Sequence, residues 1–166
     1  IGKRILVKNT DLQSQLDESY INLTDDNQYL SFILKKTAQT FKPGMGADFF
    51  NNLEVDPLDL EFAEQLLKIS VEKEQELMEE IRPKLKNWDI DRIAMIDMTL
   101  LKLGVSELLF FPTIPVKVTI NEYIDISKTY STPKSREFVN GVLDSLLKTL
   151  KEEGKINKSG RGLLDM

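Results

Sequence analysis

Lys128-Thr129-Tyr130-Ser131-Thr132-Pro133-Lys134-Ser135-Arg136-Glu137-Phe138 is the stretch of this chain best equipped for chemistry with a ligand. It holds three basic residues, a run of hydroxyl side chains and two aromatics. Cations bind phosphate, exposed aromatic rings stack on bases, and the start of a helix offers free N–H groups. Those are the ingredients of a contact with single-stranded nucleic acid. The plainer reading is a capped turn between two helices with Phe138 in the core, and composition alone favours it.

Other candidates read as structural. Asp89, Asp91 and Asp97 could offer oxygen ligands to magnesium or calcium. No loop of calcium-binding spacing surrounds them, and Asp89 and Asp91 stand where a helix opens and complement its dipole. Gly44-Met45-Gly46 and Gly160-Arg161-Gly162 follow no strand pattern and match no phosphate-loop spacing, so both read as loops. Asn140-Gly141 is a hairpin dipeptide, but helical spacing on both sides overrides it. Glycine inside a helix costs about 1 kcal/mol relative to alanine, which implies that another helix approaches closely at Gly141. Asn121-Glu122 reads as a polar pair just inside a helix, with Asn121 placed to bond a neighbouring helix end. The chain has no cysteine and no histidine. Disulfides, thiolate chemistry and the usual zinc ligand sets are excluded, and the side chain best suited to proton transfer near neutral pH is missing. No cofactor, no metal and no enzymatic activity are expected.

The elements that must position these residues are helical. A short helix is expected near Asp11–Tyr20. Asp25, Asp26 and Asn27 supply helix-start chemistry for a second. Its face is Leu30, Ile33, Leu34, Ala38 and Phe41, and it runs to about Lys42 before Pro43, Gly44 and Gly46 end it. A loop with Phe49 and Phe50 as anchors reaches Val55. Asp56-Pro57 signals the next helix, an acidic cap before proline at the first helical position. Its stripe is Phe62, Leu66, Ile69, Leu77 and Ile81; a break near Ser70 would divide it into two helices, though no proline forces one, and Pro83 weakens or ends the pattern. Trp88-Asp89-Ile90-Asp91 opens a helix that is apolar on several sides, through Ile93, Ile96, Leu100, Leu103 and Leu108 with Met95, Met98, Leu101 and Val105, which predicts a central helix. Ile114–Ile120 alternates like a strand, but Val116, Ile120, Tyr123, Ile124 and Ser127 recur at helical spacing, and a lone strand would have no partner. Thr132-Pro133 repeats the cap-then-proline signal before Phe138, Val139, Val142, Leu143, Leu146, Leu147 and Leu150, and Gly154 ends that helix. The fold class predicted is an all-α bundle.

Length and composition bound the rest. The chain has 166 residues, room for one domain or one domain with an appendage, and 41% hydrophobic with 30% charged residues is ordinary for a soluble globular protein. No stretch approaches the roughly 18 apolar residues of a membrane span, and the opening has no signal-peptide pattern, so a cytoplasmic protein without a membrane partner is expected. The net charge is −5. Nucleic-acid binders are usually basic, so any such role needs a local patch or a basic partner.

Three segments carry a family likeness. Trp88-Asp89-Ile90-Asp91-Arg92-Ile93-Ala94-Met95-Ile96-Asp97, Ile114-Pro115-Val116-Lys117-Val118-Thr119-Ile120-Asn121-Glu122-Tyr123 and Phe138-Val139-Asn140-Gly141-Val142-Leu143-Asp144 resemble, in order and separation, the C-terminal half of the NusB family of transcription antitermination factors. The last is the most specific. The likeness covers roughly 88–150, and a looser helical match reaches back to 57. It implies a NusB-like helical bundle over 57–154; residues 1–56, a helical segment, resemble the longer family members only weakly, and 155–166 read by composition as a polar tail carrying Lys155, Lys158 and Arg161. It also implies binding to boxA-type RNA, pairing with the ribosomal protein NusE, and action on the RNA polymerase elongation complex; homodimers also occur in the family. Residue by residue, the resemblance implies RNA contacts at Lys102, Tyr130, Lys134, Ser135 and Phe138. It places Asp97 and Glu107 at acidic positions associated with the protein partner. Lys134 stands where relatives often have an acid. The family's Arg-rich first helix has only Lys3 and Arg4 to answer for it here. The chain starts at Ile1, which reads as a trimmed fragment, and such a helix is expected upstream or RNA binding is weak. The competing reading is a protein-interaction domain of the same fold with little or no RNA binding. A third, a domain fused to an RNA cytosine methyltransferase, lacks its cofactor domain and catalytic cysteine.

Overall fold

The structure, a computed structural model, describes residues 10–19, 23–42, 44–45, 56–86, 88–132 and 134–165. All regular structure among them is helical, as expected, and the segment 114–120 is no strand. The chain divides into two compact units, Ile1–Val55 and Asp56–Met166.

The first unit contains α1 (Thr10–Ser19) and α2 (Leu23–Thr40). α2 starts before Asp25–Asn27, which therefore lie inside its first turns and not ahead of it. Gly44 turns the chain with φ +93°, a region that glycine alone enters without strain. The anchors Phe49 and Phe50, with Lys3, Arg4, Pro43 and Gly46, lie outside the described residues.

The second unit is built around one helix. α3 (Pro57–Glu72) begins as Asp56 predicts: the Asp56 carboxylate accepts from the Leu58 N–H at 2.9 Å, with Pro57 at the first helical position. The division from α4 (Glu74–Ile81) falls at Lys73, not at Ser70. Ser70 stays helical and buried, its hydroxyl satisfied by the Leu67 carbonyl at 2.8 Å. A 3-10 turn carries Arg82–Leu85 past Pro83.

α5 (Met95–Phe110) starts later than its sequence suggests. Asp89 caps no helix; it precedes a 3-10 turn at Ile90–Arg92, after which Ile93 and Ala94 are extended. That detour turns Ile93 onto the core. α5 packs against α3, α4, α6 (Val116–Tyr130) and α7 (Ser135–Glu152). It buries Leu100, Leu101, Val105 and Leu108, which pack with Leu77 and Ile81 of α4, Val116, Ile120 and Tyr123 of α6, and Val139, Leu143, Leu146 and Leu150 of α7. Each such side chain contributes about 2 kcal/mol by leaving water.

The glycine that allows close helix approach is Gly104, not Gly141. A Cβ on Gly104 would stand 3.1 Å from Leu143 Cδ2 and 3.3 Å from Tyr123 Cδ2, whereas one on Gly141 would meet nothing within 4 Å. α7 ends as predicted at Gly154: its φ is +66°, its N–H reaches the Lys151 carbonyl at 3.1 Å, and the Lys155 N–H reaches Leu150 at 2.9 Å. The segment that follows, polar in composition, packs onto the bundle. Ile156 and Lys158 are buried, and Lys158 Nζ donates to the carbonyls of Glu107 (3.2 Å) and Phe111 (2.9 Å) at the end of α5. Gly162 lies so close to Pro112 that a Cβ would be 2.0 Å from its carbonyl oxygen.

Candidate nucleic-acid interface

The junction between α6 and α7 is fixed from inside by Asp97. This residue sits in the first turn of α5 and is 5% exposed. Its carboxylate accepts from the Ser131 hydroxyl at 2.5 Å and from the Ser135 hydroxyl at 2.6 Å. Ser135 is the first residue of α7, and the Thr132 N–H and hydroxyl come to its Oγ at 3.3 and 2.9 Å. The start of α5 is thereby tied to the end of α6 and the start of α7. One turn into α7, Phe138 is buried and meets Trp88 edge-to-face, with centroids 4.7 Å apart at 71°.

Outside this brace the junction is open and carries cations. Tyr130, Lys134 and Arg136 are exposed. Lys134 takes the cap position of α7 without a side-chain bond to the helix, and neither it nor Arg136 makes an ion pair among the described residues. Lys128 pairs with Asp125. An open groove alongside is lined by Trp88, Asp89, Arg92, Ile93, Lys134 and Glu137, with Asp97 and Phe138 also reaching it.

Lys102 lies away from the junction on α5 and pairs with Glu74 of α4 at 2.9 Å. Glu107, near the other end of α5, is 6% exposed and accepts from Thr119 Oγ1 at 2.6 Å and Tyr123 Oη at 3.1 Å. Burial first, and then the neighbouring Glu107, push the Tyr123 phenol well above its ordinary range. Burial pulls Lys158 below the usual lysine range, with Glu107 opposing the shift.

Of the seven residues singled out from sequence, Tyr130, Lys134, Ser135 and Phe138 fall at one junction and Asp97 lies directly beneath it. Lys102 and Glu107 lie further along α5. Ser135, Asp97 and Glu107 spend their polar atoms on internal bonds, while Lys134 and Tyr130 face solvent. Sequence reasoning left Trp88 and Arg92 out of the site; a large aromatic just ahead of an acidic turn was the signal available. Nothing in the sequence marks Lys158 as buried.

These features define a helical bundle with buried polar braces and exposed cations at one helix junction. The family model of the NusB family matches residues 17–148. Curated relatives called transcription antitermination protein NusB include that of Salinibacter ruber, 46% identical over 114 residues, which is 69% of this chain and 71% of the relative. That of Methylacidiphilum infernorum is 45% identical, over 61% of this chain and 71% of the relative. That of Chloroherpeton thalassium is 39% identical, over 64% of this chain and 50% of the relative. The solved structure of T. maritima NusB aligns with a TM-score of 0.54 at 33% identity, covering 61% of this chain and 73% of that one. The chain belongs to the NusB family.

Proposed function

We propose that this chain is a transcription antitermination factor that binds boxA-type RNA at the α6–α7 junction, pairs with NusE and acts on the elongating RNA polymerase. The observation that carries the reading is the pair of cations Lys134 and Arg136, which make no ion pair among the described residues, beside exposed Tyr130 at a helix start held in place by Asp97. Such an arrangement offers phosphate contacts and a stacking ring on a fixed frame. Lys134 and Tyr130 contact RNA directly. Lys102 adds charge once it leaves Glu74. Ser135 and Phe138 shape the surface from beneath. Asp97 and Glu107 bear on the protein partner through the helix faces they fix, since both carboxylates are buried and already accept two bonds each. No helix of the described residues is long and apolar enough to cross a membrane.

The test is fluorescence anisotropy of a labelled boxA-type RNA against the chain with NusE, across salt concentrations. Binding is weak for the chain alone and strengthened by NusE. Lys134→Ala weakens it and lowers the salt slope by roughly 0.7, the share of one phosphate contact on a single strand. Absence of binding with NusE present refutes the proposal. The net charge of −5 favours a second reading, a protein-interaction domain that has lost RNA binding. In that case NusE binds, RNA does not, and Lys134→Ala changes nothing.

A further inference from the structure

We propose that Trp88 is the stacking platform for one unpaired base of the bound RNA, an inference that rests on the RNA-binding reading above. Trp88 is half exposed, 51%, although indole is among the side chains with most to gain from burial. Its contact with Phe138 is edge-to-face, which covers at most one face of the indole. Phe138 is itself buried in α7, so the indole rests on the core and not on a mobile surface group. The backbone N–H of Trp88 donates to the Leu85 carbonyl at 2.9 Å, which ties the main chain at this residue.

The groove beside the ring decides what it takes. Its lining includes Asp89 and Glu137 as acceptors and Arg92 and Lys134 as cations, while the Asp97 carboxylate, also in the lining, already accepts from Ser131 and Ser135. A phosphate alone would be repelled by the two carboxylates and would make no use of the indole. An apolar peptide side chain would have to strip water from four charged groups. A nucleobase fits all three features. Its face stacks on the indole, its amino or imino N–H groups donate to a carboxylate, and the flanking phosphates meet Arg92 or Lys134. Stacking of this kind tolerates any base, and each of the four bases has an N–H group that can donate to a carboxylate.

Trp88 is the only tryptophan of the chain, so its emission reports this site alone. The experiment titrates the same labelled RNA into the chain, with the protein partner supplied in tryptophan-free form, and follows anisotropy and indole emission together. The expected result is that emission changes at the RNA concentration where anisotropy rises, and that bound RNA shields the indole from acrylamide. Trp88→Leu weakens binding roughly tenfold, and Trp88→Phe, which keeps a stacking ring, recovers most of it. Circular dichroism of both variants reports on folding, while the emission and shielding measurements on the unaltered chain need no variant. Anisotropy that rises with no change in emission or shielding overturns the Trp88 assignment and leaves RNA binding standing. Anisotropy that does not rise overturns both.

Discussion

Replacing Asp97 tests whether the junction is braced as described. Asp97→Ala removes two short hydrogen bonds, from Ser131 and Ser135, to a buried carboxylate. Bonds to a charged group contribute about 1.5–3 kcal/mol each. Part of the loss is recovered, because the two hydroxyls stand 2.8 Å apart and can bond each other, and because the cost of burying the charge disappears with it. The net expectation is a destabilisation of about 2–3 kcal/mol. Asp97→Asn keeps the shape and one acceptor oxygen and should cost about 1 kcal/mol. Urea unfolding followed by circular dichroism measures both. With m about 1.5 kcal/mol per molar, the alanine variant moves the midpoint down by roughly 1–2 M at unchanged m. A cycle with Ser135→Ala should show coupling of about 1 kcal/mol or more. A loss below about 0.5 kcal/mol for Asp97→Ala, or no coupling to Ser135, would mean that the junction is held by apolar packing alone. The functional consequence is checked on the same protein: on the proposed RNA-binding reading, RNA affinity falls with Asp97→Ala because Lys134 and Phe138 lose their fixed placement.

The two helical glycines should respond in opposite ways. Gly104→Ala pushes a methyl against Leu143 and Tyr123 and destabilises by about 1–3 kcal/mol, whereas Gly141→Ala enters open space and stabilises by about 1 kcal/mol, both read from urea midpoints. Tyr123 predicts the alkaline limb of stability. The unfolded phenol ionises near its ordinary value of 10.0, while the native one holds its proton to higher pH. The unfolded state therefore binds fewer protons above that value, and this contribution, complete below pH 10.0, is lost as pH climbs towards the native pKa. Tyr123→Phe should flatten the fall above pH 10.0 and cost about 1 kcal/mol at neutral pH; an unchanged alkaline slope would refute the assignment.

What the sequence conveyed was whatever repeats at helical spacing. Val116, Ile120, Tyr123 and Ser127 all lie on the buried face of α6, which is why their spacing outweighed the strand-like alternation of 114–120. Asp56-Pro57 and Gly154 were legible because caps act within a few residues. The start of α5 was not, because two extended residues between a 3-10 turn and a helix leave no periodic trace. Gly141 drew attention through its local cost, but close approach depends on what stands opposite, and only Gly104 faces Leu143. The partners of Asp97 lie 34 and 38 residues away, and those of Lys158 lie 51 and 47 away. Pairings at that distance are products of the fold, so an acidic residue in a family motif could be placed from sequence but not recognised as buried.

The two carboxylates of α5 are stabilised in different ways at its two ends. Asp97 stands in the first turn, where the helix dipole favours an anion, and it can be buried with two neutral donors. Glu107 stands in the last turn, where the dipole opposes it, and hydroxyls from Thr119 and Tyr123 do not reverse that field. The chain meets the difficulty with Lys158, whose ammonium binds the carbonyls of Glu107 and Phe111 at the same helix end and brings a positive charge near the carboxylate. One cation from residues 155–165 is thus committed to the interior. At the other end of α5 none is needed, because serine hydroxyls already satisfy Asp97. Lys134, at the cap of the helix that Asp97 anchors, and Arg136, in its first turn, are exposed. Asp97 thus fixes the start of the helix beside which these cations stand, and that is the physical link between the core of this bundle and the RNA contact proposed for it.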